Sequence, residues 1–327
     1  MARRAPPICA AILVTLILYT TAQQRGHAMV PSLSSVRNST LGFELILAVS
    51  TGGSWRRDGL LEAAELTGFH IQMPQQPTWA DQDTQQFTRQ TSRTSGKKLT
   101  LGEAGCWLGH LHLLKYIATA NQDTALVLED DVDWDVALKD QLELVSPLIR
   151  TFSDTDLSTS KENMEPYGTD WDLLWLGHCG DIIPRSGVQS IYDTSLPVDG
   201  IYTESDGSQT RFPQFTRMVH RSVSPICSYG YAVTGHGAMR ILALVSSGVD
   251  AQVSEQYQFW CKHGNLKCIT VNPELFHHHK HAGTFASEID AVDGWREDSD
   301  LEAHSYTINV RNSARCQAQA RRGAPCS

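Results

Sequence analysis

The segment ALVLEDD, residues 125–131, decides which fold the sequence is expected to adopt. Its four apolar residues show no polar alternation and lead directly into Glu129, Asp130 and Asp131. An uninterrupted apolar strand is typical of a parallel sheet that is covered on both faces. Neighbouring carboxylates raise one another's pKa unless a cation separates them. The end of this strand therefore predicts a cation site, and a divalent metal is the first candidate.

Strands and helices alternate on both sides of this segment. The apolar run at 43–49 predicts a strand, and the sequence at 56–69 has the spacing of a helix. A capping-box pattern predicts that a second helix begins at Thr100. Further apolar strands are predicted within 172–176 and 228–234, the latter followed by a glycine turn and a helix. This alternation indicates an α/β fold, whose ligands bind beyond the carboxyl ends of the strands.

Composition narrows the class of protein. The chain has 327 residues, is 41% hydrophobic and carries a formal net charge of −9. A chain of this kind buries one large core or two modest ones. The negative charge argues against nucleic acid as a partner, because proteins that bind the phosphate backbone normally present a basic face. The polar segment from Gln72 to Lys98 is expected to be irregular.

The N-terminal segment is expected to act as a targeting signal. Two arginines precede an apolar run at 8–19, and small residues follow it. Residues 1–22 are therefore interpreted as a cleaved signal peptide or a retained signal anchor. A stem at 23–41, a folded domain at 42–300 and a C-terminal tail at 301–327 complete the predicted organisation. With either N-terminal alternative, the folded domain faces the lumen of the Golgi or endoplasmic reticulum, or is secreted.

The cysteines and one glycosylation sequon, at Asn38, agree with this compartment. Seven of the eight cysteines lie beyond the N-terminal segment, so at least one is unpaired or pairs between chains. Cys106 is predicted to be unpaired, because it lies in a predicted buried helix where a thiol packs as a small apolar group. The pairing of the other cysteines is left open.

Glu129 and Asp131 are the predicted metal ligands. In extended backbone, residues two positions apart project to the same side, so both carboxylates can reach one cation. Mg²⁺ and Mn²⁺ prefer oxygen ligands and take their remaining ligands from water and phosphates. An EF-hand is excluded, because Val136 and Leu142 occupy the positions where its loop needs Gly and Glu. A phosphatase with an aspartyl nucleophile is a weaker alternative, because its aspartates would follow the first strand of the domain.

Four blocks of the sequence resemble glycosyltransferase family 25, which includes lipooligosaccharide and collagen galactosyltransferases. In chain order they are LTLGEAGCWLGHLHLLKYI, ALVLEDDV, WDLLWLG and SYGYAVTGHGAMRIL, and the resemblance covers roughly Phe43 to Asp290. It implies a GT-A type fold, with a Rossmann-like, mostly parallel sheet flanked by helices. It also implies a nucleotide-sugar donor, a divalent cation and inversion at the sugar carbon.

Individual residues match the motifs of this family. The resemblance implies that Glu129 and Asp131 hold Mn²⁺ or Mg²⁺ against the donor diphosphate, where the ion neutralises the charge of the leaving group. The sequence departs from the family at Val49-Ser50, where an Asn-Leu pair is usual, and at Gly109, where Ser is usual. The candidate donor-binding residues are Arg56, Arg57, His110 and Asp130.

Two carboxylates are candidates for the catalytic base. An inverting transfer removes a proton from the acceptor hydroxyl, which requires a carboxylate on the face opposite to the leaving group. Asp250 and Asp172 are the candidates. The histidine run at 277–281 is interpreted either as a source of a further metal ligand or as a solvated loop.

The sequence therefore predicts a metal-dependent inverting glycosyltransferase that moves a hexose, galactose in particular, from a UDP-sugar to a hydroxyl of a glycan or glycoprotein. The alternative is a catalytically silent relative that binds glycans or partners. The intact acidic motif argues against this alternative, because a binding module does not need a site that neutralises a diphosphate. The acceptor is expected to contact the loops at 181–224, since such surface loops vary.

Overall fold

A seven-stranded sheet forms the centre of the structure, which is a computed structural model. The structure describes residues 35–50, 52–91, 99–120, 122–153, 165–198, 201–203, 209–284, 304–324 and 326. The strands are β1 (Leu45–Val49), β2 (Thr124–Glu129), β3 (Val132–Trp134), β4 (Leu173–Gly177), β5 (Gln189–Tyr192), β6 (Ile201–Thr203), β7 (Gln209–Arg211), β8 (Thr216–Arg221), β9 (Gly230–Thr234), β10 (Cys268–Asn272), β11 (Phe276–Lys280) and β12 (Tyr306–Thr307). The helices are α1 (Trp55–Thr67), α2 (Asp81–Thr91), α3 (Leu101–Thr119), α4 (Leu138–Ser153), α5 (Gly235–Ser246), α6 (Val253–Lys262) and α7 (Ala314–Arg321).

The central sheet has the strand order β1-β2-β9-β4-β10-β8-β5. β1 pairs in parallel with β2, and β4 pairs in parallel with β10. β9 lies between β2 and β4 and is antiparallel to both, while β8 is antiparallel to β10 and β5. Only β8 and β9 of this sheet therefore run against the other strands. The predicted α/β fold, with a Rossmann-like and mostly parallel sheet, is confirmed.

Two smaller sheets complete the described strands. β6 pairs with β7, and a three-stranded sheet has the order β12-β11-β3. β3 follows β2 after only two residues, and β11 follows β10 after three. The three-stranded sheet therefore begins directly where two strands of the central sheet end.

The apolar character of β2 is explained by two cores, one on each face of the central sheet. Leu126 and Leu128 belong to one core, and Ala125 and Val127 belong to the other, which includes Trp107 of α3. Successive side chains of a strand point to opposite faces, so a strand between two cores needs apolar residues at every position. This arrangement is what the uninterrupted apolar run predicts.

The predicted capping box is present. The hydroxyl of Thr100 accepts a hydrogen bond from the N–H of Glu103 at 3.1 Å, and Glu103 Oε2 accepts one from the N–H of Thr100 at 2.8 Å. These reciprocal bonds satisfy two backbone donors at the start of α3, which has no preceding turn to bond them. They position the helix that carries Trp107 and His110.

The expectation of an irregular segment from Gln72 to Lys98 is wrong for Asp81–Thr91, which form α2. Phe87 is the one apolar residue of this helix, so no apolar stripe marks it in the sequence. The ring of Phe87 packs against that of Trp107, with 6.4 Å between the ring centroids. Tertiary packing rather than periodicity therefore accounts for the helix.

Three disulfides join Cys179 to Cys227, Cys261 to Cys268 and Cys316 to Cys326. Among the described residues Cys106 is free, as predicted. None of the helices in the described part of the chain is long and apolar enough to cross a membrane. The signal segment predicted at 1–22 lies outside the described residues and stays a prediction.

A buried ion pair ties the outer strands of the central sheet to the turn before β11. Arg217 Nε donates to Asp193 Oδ2 at 2.7 Å, and Arg217 Nη1 donates to the carbonyl oxygens of Pro273 at 2.7 Å and Glu274 at 3.1 Å. Burial raises the pKa of Asp193, but the charge of Arg217 and hydrogen bonds from Ser195 outweigh burial and lower it below its usual value. The pair is therefore ionised at neutral pH.

We expect Asp193→Asn to destabilise the fold by about 3 kcal/mol at neutral pH, because the buried Arg217 loses its counter-ion. The folded-state pKa of Asp193 is lowered, so its contribution is complete above the unfolded pKa of about 3.9 and is lost as the pH falls towards the folded pKa. Urea unfolding of both proteins, at neutral pH and near pH 3, should show the difference between them shrinking in acid.

Asp140→Asn is the matched control. Asp140 forms an exposed ion pair with Arg37, and such pairs contribute little to stability because water screens their charges. Equal effects of the two substitutions at neutral pH would contradict the structural role assigned to Asp193.

Candidate active site

The acidic turn, which comprises residues 129–131, lies where β2 of the central sheet ends and β3 of the three-stranded sheet begins. Glu129 is opposite Val49, the last residue of the parallel strand β1. Its backbone N–H donates to the carbonyl oxygen of Tyr229 at 2.9 Å. The turn is therefore at the carboxyl end of a parallel strand pair, where α/β sheets bind their ligands.

Asp131 is buried and faces the side chains of Arg56 and His278. Its Oδ2 accepts a hydrogen bond from Arg56 Nη1 and lies 3.3 Å from His278 Nε2. Burial raises the pKa of Asp131, but His278, Arg56 and Arg315 together outweigh burial, so the pKa lies well below the usual value for aspartate. Its Oδ1 is buried without a hydrogen-bond partner among the described residues. Asp131 is thus an ionised carboxylate, and one of its oxygens has no hydrogen-bond partner among the described residues.

Glu129 has a more open environment. Its side chain is 32% exposed, Oε1 accepts a hydrogen bond from Ser228 Oγ at 3.2 Å, and His110 Nε2 lies 3.7 Å from the same oxygen. His110 is fully buried in α3 and is held by a hydrogen bond of 3.0 Å between Nδ1 and the hydroxyl of Tyr231. Burial, followed by the charges of Glu129 and Asp131, raises the pKa of the Cys106 thiol, which places Cys106 near both carboxylates.

The predicted metal ligands, Glu129 and Asp131, both belong to the acidic turn. Within the described residues, no group of three or more His, Cys, Asp or Glu side chains is arranged to hold a metal ion. The donor chemistry of Glu129 and Asp131 nevertheless fits a hard cation, because one carboxylate is partly exposed and the other has an unpartnered anionic oxygen. Manganese or magnesium at this turn therefore stays a prediction.

The histidine run forms a strand, so its interpretation as a solvated loop is wrong for residues 277–280, which lie in β11. Each of three histidines has a distinct partner. His277 Nδ1 lies 3.0 Å from Glu274 Oε1, His278 contacts Asp131, and His279 Nδ1 lies 2.8 Å from Thr307 Oγ1. β11 therefore brings His278 to the acidic turn.

The cluster of carboxylates continues past the acidic turn with Asp133 and Asp135, which have a structural role. Asp133 Oδ2 accepts hydrogen bonds from Thr307 Oγ1 at 2.7 Å and from the hydroxyl of Ser313. Asp135 Oδ2 accepts one from the N–H of Asn312 at 2.8 Å. Both carboxylates thus attach the C-terminal segment, residues 304–324, to the strand that follows the acidic turn. This explains why the cluster extends beyond the three residues of the turn.

Arg315, in the C-terminal segment, holds the backbone of the acidic turn through hydrogen bonds. It is 1% exposed, its Nε donates to the carbonyl oxygen of Val132 at 2.7 Å, and its Nη2 donates to that of Asp130 at 2.6 Å. Its guanidinium also occupies the space where a Cβ at Gly59 of α1 would lie. Sequence reasoning missed Arg315 because it lies in the predicted tail, although Gly59 within a helical pattern is a signal for close approach.

The structure brings two of the four candidate donor-binding side chains to the acidic turn. Arg56 contacts Asp131, and His110 lies beside Glu129. Arg57 follows Arg56 in α1, where its backbone N–H donates to Ser54 Oγ at 3.5 Å. Asp130 is in the turn itself, with its carbonyl oxygen bonded to Arg315. Contact with a donor stays a prediction for each of the four.

Asp172 lies at the opposite end of the sheet from the acidic turn. Its carbonyl oxygen accepts a hydrogen bond from Thr234, which pairs with Thr124 at the start of β2. Its carboxylate accepts hydrogen bonds from the N–H of Lys267 at 2.8 Å and from Arg240 Nη1 at 3.1 Å. The structure therefore does not bring Asp172 to Glu129 or Asp131.

Asp250 lies beside the part of α3 that carries Trp107. The next residue, Ala251, accepts a hydrogen bond from Trp107 Nε1 at 2.9 Å, and Trp107 precedes His110 by about one helical turn. Within the described part of the chain, the buried Oδ1 of Asp250 has no hydrogen-bond partner. Its role as a base stays a prediction.

The two departures from the family motifs meet in one contact. A Cβ at Gly109 would lie 3.0 Å from Val49 Cγ1, so glycine leaves room for the valine at the end of β1. Val49 is in turn opposite Glu129. The two departures thus pack against each other next to the acidic turn.

Comparison with known proteins supports the family resemblance. Residues 36–166 match the sequence model of Glycosyltransferase family 25 (LPS biosynthesis protein). This region contains the acidic turn, Arg56 and His110, and it ends before β4. The resemblance is confirmed there, over a shorter stretch than the four sequence blocks suggested.

Individual relatives match a still shorter stretch. Procollagen galactosyltransferases 1-B and 1-A of Xenopus laevis are 33% and 34% identical over 82 residues, which is 25% of this chain and 11% of each relative. Probable inactive glycosyltransferase 25 family member 3 of Bos taurus is 31% identical over 83 residues, again 25% of this chain and 11% of that protein. The matches thus span about a tenth of these relatives' length.

We expect Arg315→Met to destabilise the protein by about 3 kcal/mol, because it removes a buried cation from two carbonyl oxygens and from the neighbouring carboxylates. Chemical unfolding monitored by tryptophan fluorescence measures this loss. Arg321→Met, an exposed position on the same helix, is the control and should change stability by less than about 0.5 kcal/mol. Equal stability of the two variants would show that Arg315 does not support the acidic turn.

Proposed function

We propose that this chain is an inverting glycosyltransferase that moves a hexose, galactose in particular, from a UDP-sugar to a hydroxyl of a glycan or glycoprotein. The observation that supports this proposal is the environment of Asp131, a buried and ionised carboxylate that contacts Arg56 and His278. Asp131 lies inside the region that matches family 25. The names of the Xenopus laevis relatives support galactose as the transferred sugar.

The proposed donor site uses Arg56, which the fold holds at the acidic turn, together with Arg57 and His110. Breaking the bond between sugar and diphosphate leaves a multiply charged group, and pre-organised cations stabilise this charge as it develops. Arg56 and Arg57 on α1 and His110 on α3 are proposed to orient the diphosphate and nucleotide. When bound to Glu129 and Asp131, Mn²⁺ or Mg²⁺ supplies further positive charge to the diphosphate.

The proposed base is Asp250 rather than Asp172. A base has to approach the acceptor hydroxyl next to the donor sugar. Asp250 precedes Ala251, which is bonded to Trp107 about one helical turn before His110, whereas the carboxylate of Asp172 is occupied by Lys267 and Arg240 at the other end of the sheet.

We propose that the protein works in the lumen of the secretory pathway, in the Golgi or endoplasmic reticulum with an N-terminal anchor, or is secreted. The disulfides of the described chain support this location, because such bonds persist in oxidising compartments. The proposed catalytic domain covers residues 42–300, and Arg315 adds a contribution from the segment beyond it.

The test of the proposed activity is the release of free nucleotide from a panel of UDP- and GDP-sugars in the presence of Mn²⁺. We expect release from one UDP-sugar, loss of release with EDTA, and a loss on the order of a hundredfold in Asp131→Asn. Glu129→Gln provides a second variant at a more exposed position, in case Asp131→Asn unfolds. Asp170→Asn, at the opposite end of the sheet, is the matched control and should behave as the unmodified protein.

A catalytically silent relative remains the alternative, because one matched relative carries the name of a probable inactive family member. Thermal unfolding with UDP, with Mn²⁺ and with both separates the two proposals, since a ligand that binds the folded state stabilises it. A higher unfolding temperature only when UDP and Mn²⁺ are both present, together with nucleotide release, supports the enzyme. Release that is equal in Asp131→Asn and the control would exclude the acidic turn as the donor site.

A further inference from the structure

A cavity of about 180 Å³ adjoins the acidic turn, and the proposed donor site does not use it. His278 lines this cavity and also contacts Asp131, with 3.3 Å between Nε2 and Oδ2. Tyr229 lines it too, and its carbonyl oxygen accepts the N–H of Glu129. The cavity and the acidic turn therefore share walls, so a ligand in the cavity would lie beside whatever the turn binds.

Aromatic side chains form much of the cavity wall. Tyr202 and Phe212 pack edge to face, with 4.9 Å between their ring centroids, and Tyr306 and Tyr229 also line the space. Tyr229 is fixed by a hydrogen bond from its hydroxyl to the carbonyl oxygen of His178. Aromatic rings offer large apolar surfaces with a negative face, which suits ligands that present C–H groups.

A buried carboxylate, Glu274, gives the cavity a strong hydrogen-bond acceptor. Glu274 is 7% exposed, and its Oε1 accepts a hydrogen bond from Asn309 Nδ2 at 3.2 Å and lies 3.0 Å from His277 Nδ1. Burial raises the pKa of Glu274, but hydrogen bonding to His277 and the charges of His277 and His178 outweigh burial and lower it overall. Both named contacts are to Oε1, so neither uses the lone pairs of Oε2.

The backbone around Glu274 is held rigidly. Arg217 Nη1 donates to the carbonyl oxygens of Pro273 and Glu274, and Arg217 is itself paired with Asp193. Asn272 also lines the cavity, and its buried Oδ1 has no hydrogen-bond donor among the described residues. The wall therefore combines the carboxylate of Glu274 with the amide oxygen of Asn272, and both can accept hydrogen bonds from a ligand rich in hydroxyl donors.

The size and the hydrogen-bonding groups of the cavity limit the ligand. Pockets for drug-sized molecules usually have at least about 300 Å³, so this cavity suits a single small ring rather than a nucleotide. Lys280 also lines the cavity, so its wall carries charges of both signs, and its hydrogen-bonding groups rather than a net charge select the ligand. A pyranose ring meets the remaining requirements, because it has apolar C–H faces for the aromatic wall and hydroxyl donors for Glu274.

We infer that this cavity binds a sugar ring of the acceptor, with Glu274 accepting a hydrogen bond from a ring hydroxyl and the aromatic wall covering a C–H face. The identification of this sugar as the acceptor rests on the proposed transferase function, whereas the binding of a sugar does not. Glu274 is a specificity residue in this proposal, since it selects ligands with a hydroxyl at the right position.

The test measures binding of methyl glycosides of common hexoses and pentoses by saturation-transfer NMR and calorimetric titration. We expect one or more of them to bind, and Glu274→Gln to weaken binding by about tenfold or more, because a charge-assisted hydrogen bond is lost. Tyr306→Ala removes part of the wall at a side chain that is 40% exposed, so it tests the cavity even if Glu274→Gln does not fold. Glu165→Gln and Tyr192→Ala, which lie outside the cavity, are the matched controls.

The outcomes distinguish this inference from the proposed function when UDP-sugar turnover is measured on the same samples. Sugar binding that is weakened in the cavity variants and retained in the controls supports the inference. Absence of sugar binding, or equal binding in all variants, overturns it even where UDP-sugar is turned over. Sugar binding that depends on Glu274 without any turnover keeps the cavity as a sugar site and counts against the transferase.

Discussion

The contact between Arg315 and the acidic turn is the constraint on which the candidate active site depends. A guanidinium that is removed from water needs several acceptors, and Arg315 finds them in the backbone of Asp130 and Val132. Burial lowers the pKa of Arg315, but the nearby carboxylates Asp133, Asp131 and Asp130 oppose that effect. A cation therefore lies next to a turn that carries several negative charges, and its positive charge offsets the repulsion between the carboxylates.

The cluster of carboxylates divides into two groups with different roles. Glu129 and Asp131 face Ser228, His110, Arg56 and His278 at the end of the sheet, and their oxygens are not fully used. Asp133 and Asp135 are satisfied by the C-terminal segment, which they hold against β3. The second group thus brings Arg315 to the first, so the structural carboxylates position the cation that supports the functional ones.

β11 joins the acidic turn to the neighbouring cavity. Consecutive residues of this strand, His277 and His278, contact Glu274 in the cavity wall and Asp131 in the turn. The buried pair of Arg217 and Asp193 holds the backbone before the strand. The acidic turn and the cavity therefore share one short strand, which under the proposed function would hold the donor and the acceptor close together.

The sequence by itself determined the α/β fold, the capping box of α3 and the carboxylate-rich end of β2, because each depends on residues that are close together in the chain. It also singled out Arg56 and His110, which the fold brings to Asp131 and Glu129. The helix α2 was not predicted, because its sequence has no apolar stripe. Only the tertiary structure decided that Asp172 lies at the opposite end of the sheet, and that Arg315 and Glu274 belong beside the acidic turn and its neighbouring cavity. Arg315 is separated from Asp130 by 185 positions, and contacts over such a distance leave no local periodicity or spacing in a single sequence.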